Sequence, residues 1–512
     1  MLDLGTTFLA SVERSPHAVA IVDGDTRLTY AQWMERVGAV AGGLAQLGVK
    51  HGDHLALVLQ NRWEAATLHW ACQLLGVIVT PLNWRLKADE VDYCVADAGA
   101  RAVIYEALTA EAIEGSDACR NIPRIAIGHA AGATHHFDEL LKASAPRQLV
   151  NAGADDWSVM LYTSGTTGRP KGVPRRHRAE RAAALAHVAQ NLYAFGERTL
   201  GVMPLYHTMG VRSLLAMALI DGRFVAMPRF DAGEALRLIA AERVTNLYLV
   251  PTLYHDLLAH ADCAGTDLSS CTKLGFAGAP MTDGLLKRLT ERFRPQLFVN
   301  HFGSSEVYTY TINQHAPAKP GCAGRASLNT RIRVMKLGSE NPDELAQPGE
   351  EGHIIADRLS DEAFEGYWNR PEADAKALHG GWFFTGDTGY FDSDGELFVT
   401  GRVDDMIISG GENISPTDIE SVLSLHPAVD EVAVAGLQDE RWGQKVVAFV
   451  KRKAAVTAQE LDDYCRNSSL MNFKRPRDYV FVSAVPKSPV GKILRRKLTA
   501  GEYEKEEAAS ER

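Results

Sequence analysis

The chain has 512 residues, more than one compact core usually carries, so two or more domains are expected. Apolar residues at 46% and charged residues at 23% exclude wholesale disorder, and a net charge of −10 gives no support to a nucleic-acid binder. No apolar run reaches the ~20 residues that cross a bilayer, Met1–Arg14 shows no signal-peptide pattern, and seven scattered cysteines without CxxC spacing exclude a disulfide scaffold or zinc ribbon. A cytoplasmic protein, with no membrane and no nucleic acid among its partners, is the expectation.

In chain order, Ala18–Val22 and Leu55–Leu59 read as strands, and Ala31–Leu47 as a helix stopped by Gly48. Strand runs recur at Ala102–Tyr105, Thr199–Met203, Asn246–Val250, Lys273–Ala277 and Gln296–Asn300, with helical patterns such as Ala232–Glu242 and Asp283–Phe293 between them. Such alternation predicts an α/β fold with mainly parallel sheets covered by helices. From Arg331 to Val399, short runs punctuated by Gly, Pro and Asp predict a small antiparallel β unit. A boundary falls near Gly401–Asp405, giving an N-terminal domain over 1–403 and a smaller, mobile α/β domain over 404–512. The charged tail Glu502–Arg512 and the triplet Arg495-Arg496-Lys497 read as solvated.

The strand-like run Ser158–Tyr162 enters Thr163-Ser164-Gly165-Thr166-Thr167-Gly168-Arg169-Pro170-Lys171-Gly172. Glycines let backbone N–H groups turn toward an anion, hydroxyls add donors and Lys171 adds charge, a combination suited to a polyphosphate. The spacing is not that of a kinase-type P-loop, because Pro170 stands where that motif needs glycine.

Tyr162–Gly172 resembles the signature loop of the adenylate-forming superfamily, and further motifs follow in that family's order. They are Pro204-Leu205-Tyr206-His207, Gly278-Ala279-Pro280, Asn300-His301-Phe302-Gly303-Ser304-Ser305-Glu306, Phe384-Thr385-Gly386-Asp387, Gly401–Glu420 and Pro486–Lys492. Within the superfamily the chain is most similar to the 4-chlorobenzoate:CoA ligase type of aryl-CoA ligases. The resemblance implies an ATP-dependent acid:CoA ligase that forms an acyl adenylate and pyrophosphate, then a thioester, with Mg²⁺ and CoA as further requirements.

On that resemblance the ATP set is Thr163–Gly168, Lys171, Gly278, Ala279, Pro280, Asn300, His301, Phe302, Gly303, Ser304, Ser305, Asp387 and Arg402. Glu306 and Thr166 are the metal residues, since a hard cation prefers oxygen ligands. Phe302 would stack on adenine and Asp387 would receive the ribose hydroxyls. The family usually shows Tyr at the place of Phe302 and Thr at that of Ser305, changes that keep stacking and hydroxyl donation. His207 would gate the route to the thiol, and Lys492 would be the adenylation lysine. Asp404 is the implied hinge, and Gly410, Gly411, Trp442, Phe473 and Arg475 the implied CoA contacts. The segment ending in Lys492 also resembles one modified by bacterial lysine acetyltransferases, and the resemblance admits a homodimer.

The implied acyl pocket comprises His207, Thr208, Met209, Tyr248, Ala277, Gly278, Phe302 and Tyr308, apolar or aromatic residues that suit an aromatic or cyclic carboxylate. Alanines along Arg181–Val188 stand where the chlorobenzoate type has a bulky ring, which predicts a longer pocket and keeps a medium-chain fatty acid as the rival. Arg212 reads as an exposed helix-face arginine in preference to the partner of a second carboxylate. A non-catalytic nucleotide sensor is the rival from another class; it would lack Lys492, Glu306 or Asp387, and all three are present.

Overall fold

The computed structural model describes residues 1–148, 150–163, 169–402, 405–410, 412–468, 470–487 and 493–506. The longest sheet has a parallel centre of Val19–Asp23, Arg223–Ala226, Arg198–Gly201, Asn246–Leu249, Lys273–Phe276 and Leu297–Phe302, in that spatial order. The expected antiparallel unit does not stand apart from it. Thr311–Asn313 folds back on Leu297–Phe302, and the ladder continues through Cys322–Ala326, Leu397–Arg402, Trp382–Phe391, Gly352–Asp357 and Ile332–Lys336. Pairing in this way covers an edge that would otherwise expose unpaired backbone groups.

A second sheet runs His135–His136, Arg124–Ile127, Ala102–Glu106, His54–Val58, Ile78–Pro81, Trp157–Thr163 and Lys171–Arg176. It is parallel except for its last pair, an antiparallel hairpin. The main core fills the space between these sheets, with the helices Leu4–Arg14, Tyr30–Gln46, Trp63–Leu75 and Thr208–Leu219 contributing to it. Phe8 anchors that core, stacked on Trp70 at 4.6 Å and edge-on to Trp33 at 5.3 Å. The helix Tyr30–Gln46 starts one residue before the reading of Ala31, where Thr29 and Gln32 form a capping box.

Beyond residue 405 a separate sheet forms from Glu412–Ile414, Ile407–Ser409, Gly443–Arg452 and Val429–Asp439, with Asp478–Phe481 alongside Gly443–Arg452. Its own core includes Ile407, Ile419, Leu423, Val434 and Val446. This unit meets the larger body where Thr417 Oγ1 donates to the Thr400 carbonyl at 3.1 Å and where His255 Nε2 pairs with Asp430 Oδ1 at 3.0 Å. Gly284 also lies against it; a Cβ there would stand 2.5 Å from the Ser424 carbonyl oxygen.

Two readings of the C-terminal unit are corrected. Arg495 is not solvated: its guanidinium donates twice to Glu420, at 2.6 and 2.8 Å. The start of the tail is also tied down, because Glu506 accepts from Arg452 Nε at 2.8 Å. Among the described residues, no helix is long and apolar enough to cross a membrane.

Candidate active site

Thr163 pairs with Lys171 across the hairpin of the second sheet, so the connecting loop hangs from the C-terminal end of a parallel strand. Ser164, Gly165, Thr166, Thr167 and Gly168 lie outside the described residues, Thr166 in its metal role included. Tyr93 fixes the far arm of the loop by donating its hydroxyl to the Pro170 carbonyl at 3.1 Å. The Lys171 ammonium rests 4.1 Å from the centre of the Tyr367 ring, and the Tyr367 hydroxyl donates to Glu306 Oε1 at 2.8 Å. Cation, ring and carboxylate thus form one row. Glu306 is half-buried and its backbone carbonyl accepts from Arg175 Nη1 at 3.1 Å. A positioned carboxylate on a tethered backbone beside a lysine fits a Mg²⁺–phosphate group.

Asn300, His301 and Phe302 end the parallel strand that leads into this row. Gly303 is obligatory there, since a Cβ would stand 2.0 Å from the Tyr308 carbonyl oxygen. Ser304 Oγ accepts from the backbone N–H groups of Glu306 at 3.2 Å and Val307 at 3.3 Å, and from the Tyr310 hydroxyl at 2.7 Å. Ser305 is partly exposed in the same turn. Phe302 sits 5.1 Å from the Tyr310 ring, and Asn300 Nδ2 donates to the Cys322 carbonyl at 2.9 Å. Gly278 holds φ of 84° next to Ala279 and Pro280, a turn only glycine adopts without strain. Asp387 is buried and Arg402 Nη1 donates to its Oδ1 at 2.9 Å.

His301 departs from its expected place with the nucleotide. It is 3% exposed and belongs to a ring cluster in which Tyr248 lies 4.8 Å from His187 and 4.9 Å from His301. His301 Nε2 donates to Asn191 Oδ1 at 3.1 Å, and Asn191 Nδ2 donates to His187 Nδ1 at 3.1 Å. Burial holds both imidazoles well below the usual histidine range, so they are neutral. The alanine-rich helix brings one ring to this side, His187. His187 in the last turn of the helix His177–Gln190 and Asn191 at its C-cap stand four residues apart, and that spacing was the sequence signal for the pair.

His207 caps the helix Thr208–Leu219, its Nδ1 accepting from the Met209 N–H at 3.3 Å. A neutral His207 bonded this way carries its proton on Nε2. Thr208, Met209, Tyr248 and Ala277 are buried nearby. Tyr308 is also buried, and its hydroxyl donates to Glu180 Oε2 at 3.1 Å, while Arg175 Nε donates to Glu180 Oε1 at 2.7 Å. Burial, reinforced by Glu180, pushes the Tyr308 hydroxyl well above the usual phenol range. Arg212 corrects its reading most sharply. It is 2% exposed, with its guanidinium 5.1 Å from the centre of the Tyr308 ring. Helix-face spacing could not reveal this, because Thr208–Leu219 is enclosed on nearly every side.

On the smaller unit, Gly410 has φ of 60° and packs beneath Trp442, where a Cβ would meet Cε3 at 2.9 Å. Arg441 and Arg477 each stand 4.9 Å from the Trp442 ring. Arg475 does not join them; its guanidinium pairs with Asp462 at 3.0 Å. Phe473 is exposed. Asp404, Gly411 and Lys492 lie outside the described residues. Two acidic groups elsewhere, His255–Asp430–Glu431 and Asp392–Asp394–Glu396, have the closeness of metal sites. Lysines already answer both: Lys451 pairs with Asp430, Lys487 with Glu431, and Lys319 with the second group.

The AMP-binding enzyme family matches residues 8–368, and the AMP-binding enzyme C-terminal domain matches residues 418–492. A long-chain-fatty-acid–CoA ligase of Mycobacterium tuberculosis is 34% identical over 505 residues, 97% of this chain and 98% of that protein. A 4-chlorobenzoate–CoA ligase of Arthrobacter is 35% identical over 497 residues, covering 95% and 93%. Among solved structures, an anthranilate CoA ligase in complex with anthranoyl-AMP superposes with a TM-score of 0.90 at 26% identity, covering 98% of this chain and 97% of that one.

Proposed function

We propose, from the premise that this chain belongs to the AMP-binding enzyme family and is an AMP-forming acid–thiol ligase, that its acid is an aromatic or cyclic carboxylate. The observation that carries the proposal is the buried cluster of Tyr248, His187 and His301, with ring centres 4.8 to 5.1 Å apart. Flat rings at such separations pack edge and face against a planar acyl group better than against a flexible chain.

In the first half-reaction a substrate carboxylate oxygen attacks the α-phosphorus of ATP and pyrophosphate leaves. Glu306 would hold Mg²⁺ with Thr166, and that cation supplies charge to the phosphates. Lys171 and the Thr163–Gly168 loop bind the polyphosphate, Phe302 stacks on adenine with Asn300 Oδ1 facing its amino group, and Asp387 with Arg402 orients the ribose. Lys492 brings an ammonium to the charge that gathers between carboxylate and α-phosphate. In the second half-reaction the CoA sulfur attacks the acyl carbonyl and AMP leaves. Rotation of residues 404–512 about Asp404 would replace Lys492 with Gly410 and Gly411, and bring Trp442 and Phe473 toward the CoA nucleotide. Arg477, standing on Trp442, takes the place first given to Arg475. His207, which caps a helix by accepting from the Met209 N–H, would gate the thiol.

Acetylation of Lys492 would delete the charge this step needs and stop adenylation. A cytoplasmic location agrees with seven buried, unpaired cysteines. Pyrophosphate release measured over benzoates, cyclohexane carboxylates and C6–C10 fatty acids tests the substrate class. Ring acids should lead in kcat/KM by 10-fold or more; a ranking led by fatty acids overturns the proposal in favour of the medium-chain reading.

A further inference from the structure

Among the described residues, Arg212 is the charged side chain with the most buried nitrogens lacking a hydrogen-bond partner. Its side chain is 2% exposed, yet Nε and Nη1 are both buried without a hydrogen-bond partner. Burying a guanidinium with unmet donors is costly, and such groups in native proteins call for an explanation. The neighbouring arginine, Arg175, differs in degree: Glu180 receives its Nε and two backbone carbonyls receive its Nη1, leaving Nη2 alone unmet.

The surroundings say what Arg212 lacks. It rises from the helix that His207 caps, and its guanidinium is 5.1 Å from the centre of the Tyr308 ring. Its charge is felt at Tyr248 and His301, both members of the ring cluster. An acidic group is at hand: burial raises the Glu362 pKa, the Arg212 charge is the largest influence opposing that rise, and Glu362 Oε2 has no hydrogen-bond partner. Nε–H and Nη1–H of Arg212 therefore remain without acceptors, while Glu362 offsets part of the charge. A second substrate carboxylate would set two buried anions against this one guanidinium, with Arg175 already committed to Glu180.

We propose that Arg212 is a specificity-determining residue that donates Nε–H and Nη1–H to an uncharged acceptor on the body of the acyl substrate. The preferred acid is then a ring carrying a hydroxyl group or a ring heteroatom. This inference deepens the ring-acid reading and rests on it. A site built to meet an acceptor rejects an analogue lacking one more strongly than an apolar pocket rejects an extra group.

The test compares kcat/KM for benzoate, 3-hydroxybenzoate, pyridine-3-carboxylate, isophthalate and octanoate in the full-length enzyme, its Arg212→Met variant and its Arg212→Lys variant. In the parent enzyme an acceptor-bearing monoacid should exceed benzoate by 10-fold or more, with isophthalate below both. Arg212→Met should reduce that preference to within threefold of unity, chiefly through KM for the acid, and Arg212→Lys should keep part of it. Benzoate equal to or above both acceptor-bearing acids, or a preference unmoved by Arg212→Met, overturns the assignment. Isophthalate at the head of the ranking overturns its uncharged character. Octanoate alone as substrate overturns the ring-acid reading and this inference together, whereas ring acids used without acceptor preference overturn only this one. Should Arg212→Met fail to fold, the parent enzyme's ranking and the Arg212→Lys variant still decide.

Discussion

Tyr367 donates its hydroxyl to Glu306 at 2.8 Å, so the carboxylate expected to meet Mg²⁺ is held by a residue 61 positions away in the chain. The same ring carries the Lys171 ammonium on its face. One tyrosine therefore orients both a cation and an anion of the proposed phosphate site. Tyr367→Phe keeps the ring and removes the hydroxyl. KM for MgATP should rise roughly 10- to 150-fold, the effect of one lost hydrogen bond to a charged group, and steady-state kinetics at fixed free Mg²⁺ checks it. Unaltered MgATP kinetics would detach Tyr367 from the site.

Lys492→Ala should slow acyl-adenylate formation by roughly 10²–10³-fold, the scale of losing one preorganised donor to a developing charge. Transfer from a preformed acyl adenylate to CoA should change far less. Single-turnover quench experiments separate the two steps, and enzyme acetylated at the same lysine should match the alanine variant. Equal losses in both steps would make Lys492 a structural residue.

Gly410 combines a left-handed backbone with contact beneath Trp442. Gly410→Ala imposes a conformational cost of about 1–2 kcal/mol and pushes on the indole. Thioester formation should fall about 10-fold with adenylation nearly retained, as read by separate pyrophosphate and CoA-consumption assays. A matching fall in adenylation would mean the turn serves both steps.

His255 joins the larger body to the smaller unit through Asp430. Its pKa is raised, first by Asp256 and then by Asp430, against the opposing effect of burial. A raised folded-state value means the protonated pair contributes fully below the ordinary histidine value of 6.5, and the contribution is lost as pH rises through the folded value. Asp430 stays ionised across that window because its own pKa is lowered, with Lys451 and His255 opposing its burial. The Tm difference between parent and His255→Gln should be larger at pH 5.5 than at pH 8.5. A difference independent of pH would show that protonation plays no part in the contact.

Local and pairwise chemistry was legible along the chain because it depends on neighbours in sequence. Strand and helix periodicity marked elements such as Asp283–Phe293 to the residue, and the run of small hydroxyl residues, glycines and a lysine named a phosphate loop before any fold was known. Glu306, Asp387 and His207 were singled out because each ends a short motif. Contacts closed across the sheets were not legible: Tyr367 on Glu306, Asn191 with His301, and Arg175 beneath Tyr308 each join segments at least 61 residues apart. Arg212 is the clearest case. Its charge predicted exposure, and only the packing of Thr208–Leu219 between the sheets buries it, because burial belongs to the layer a helix lands in and not to the residue it carries.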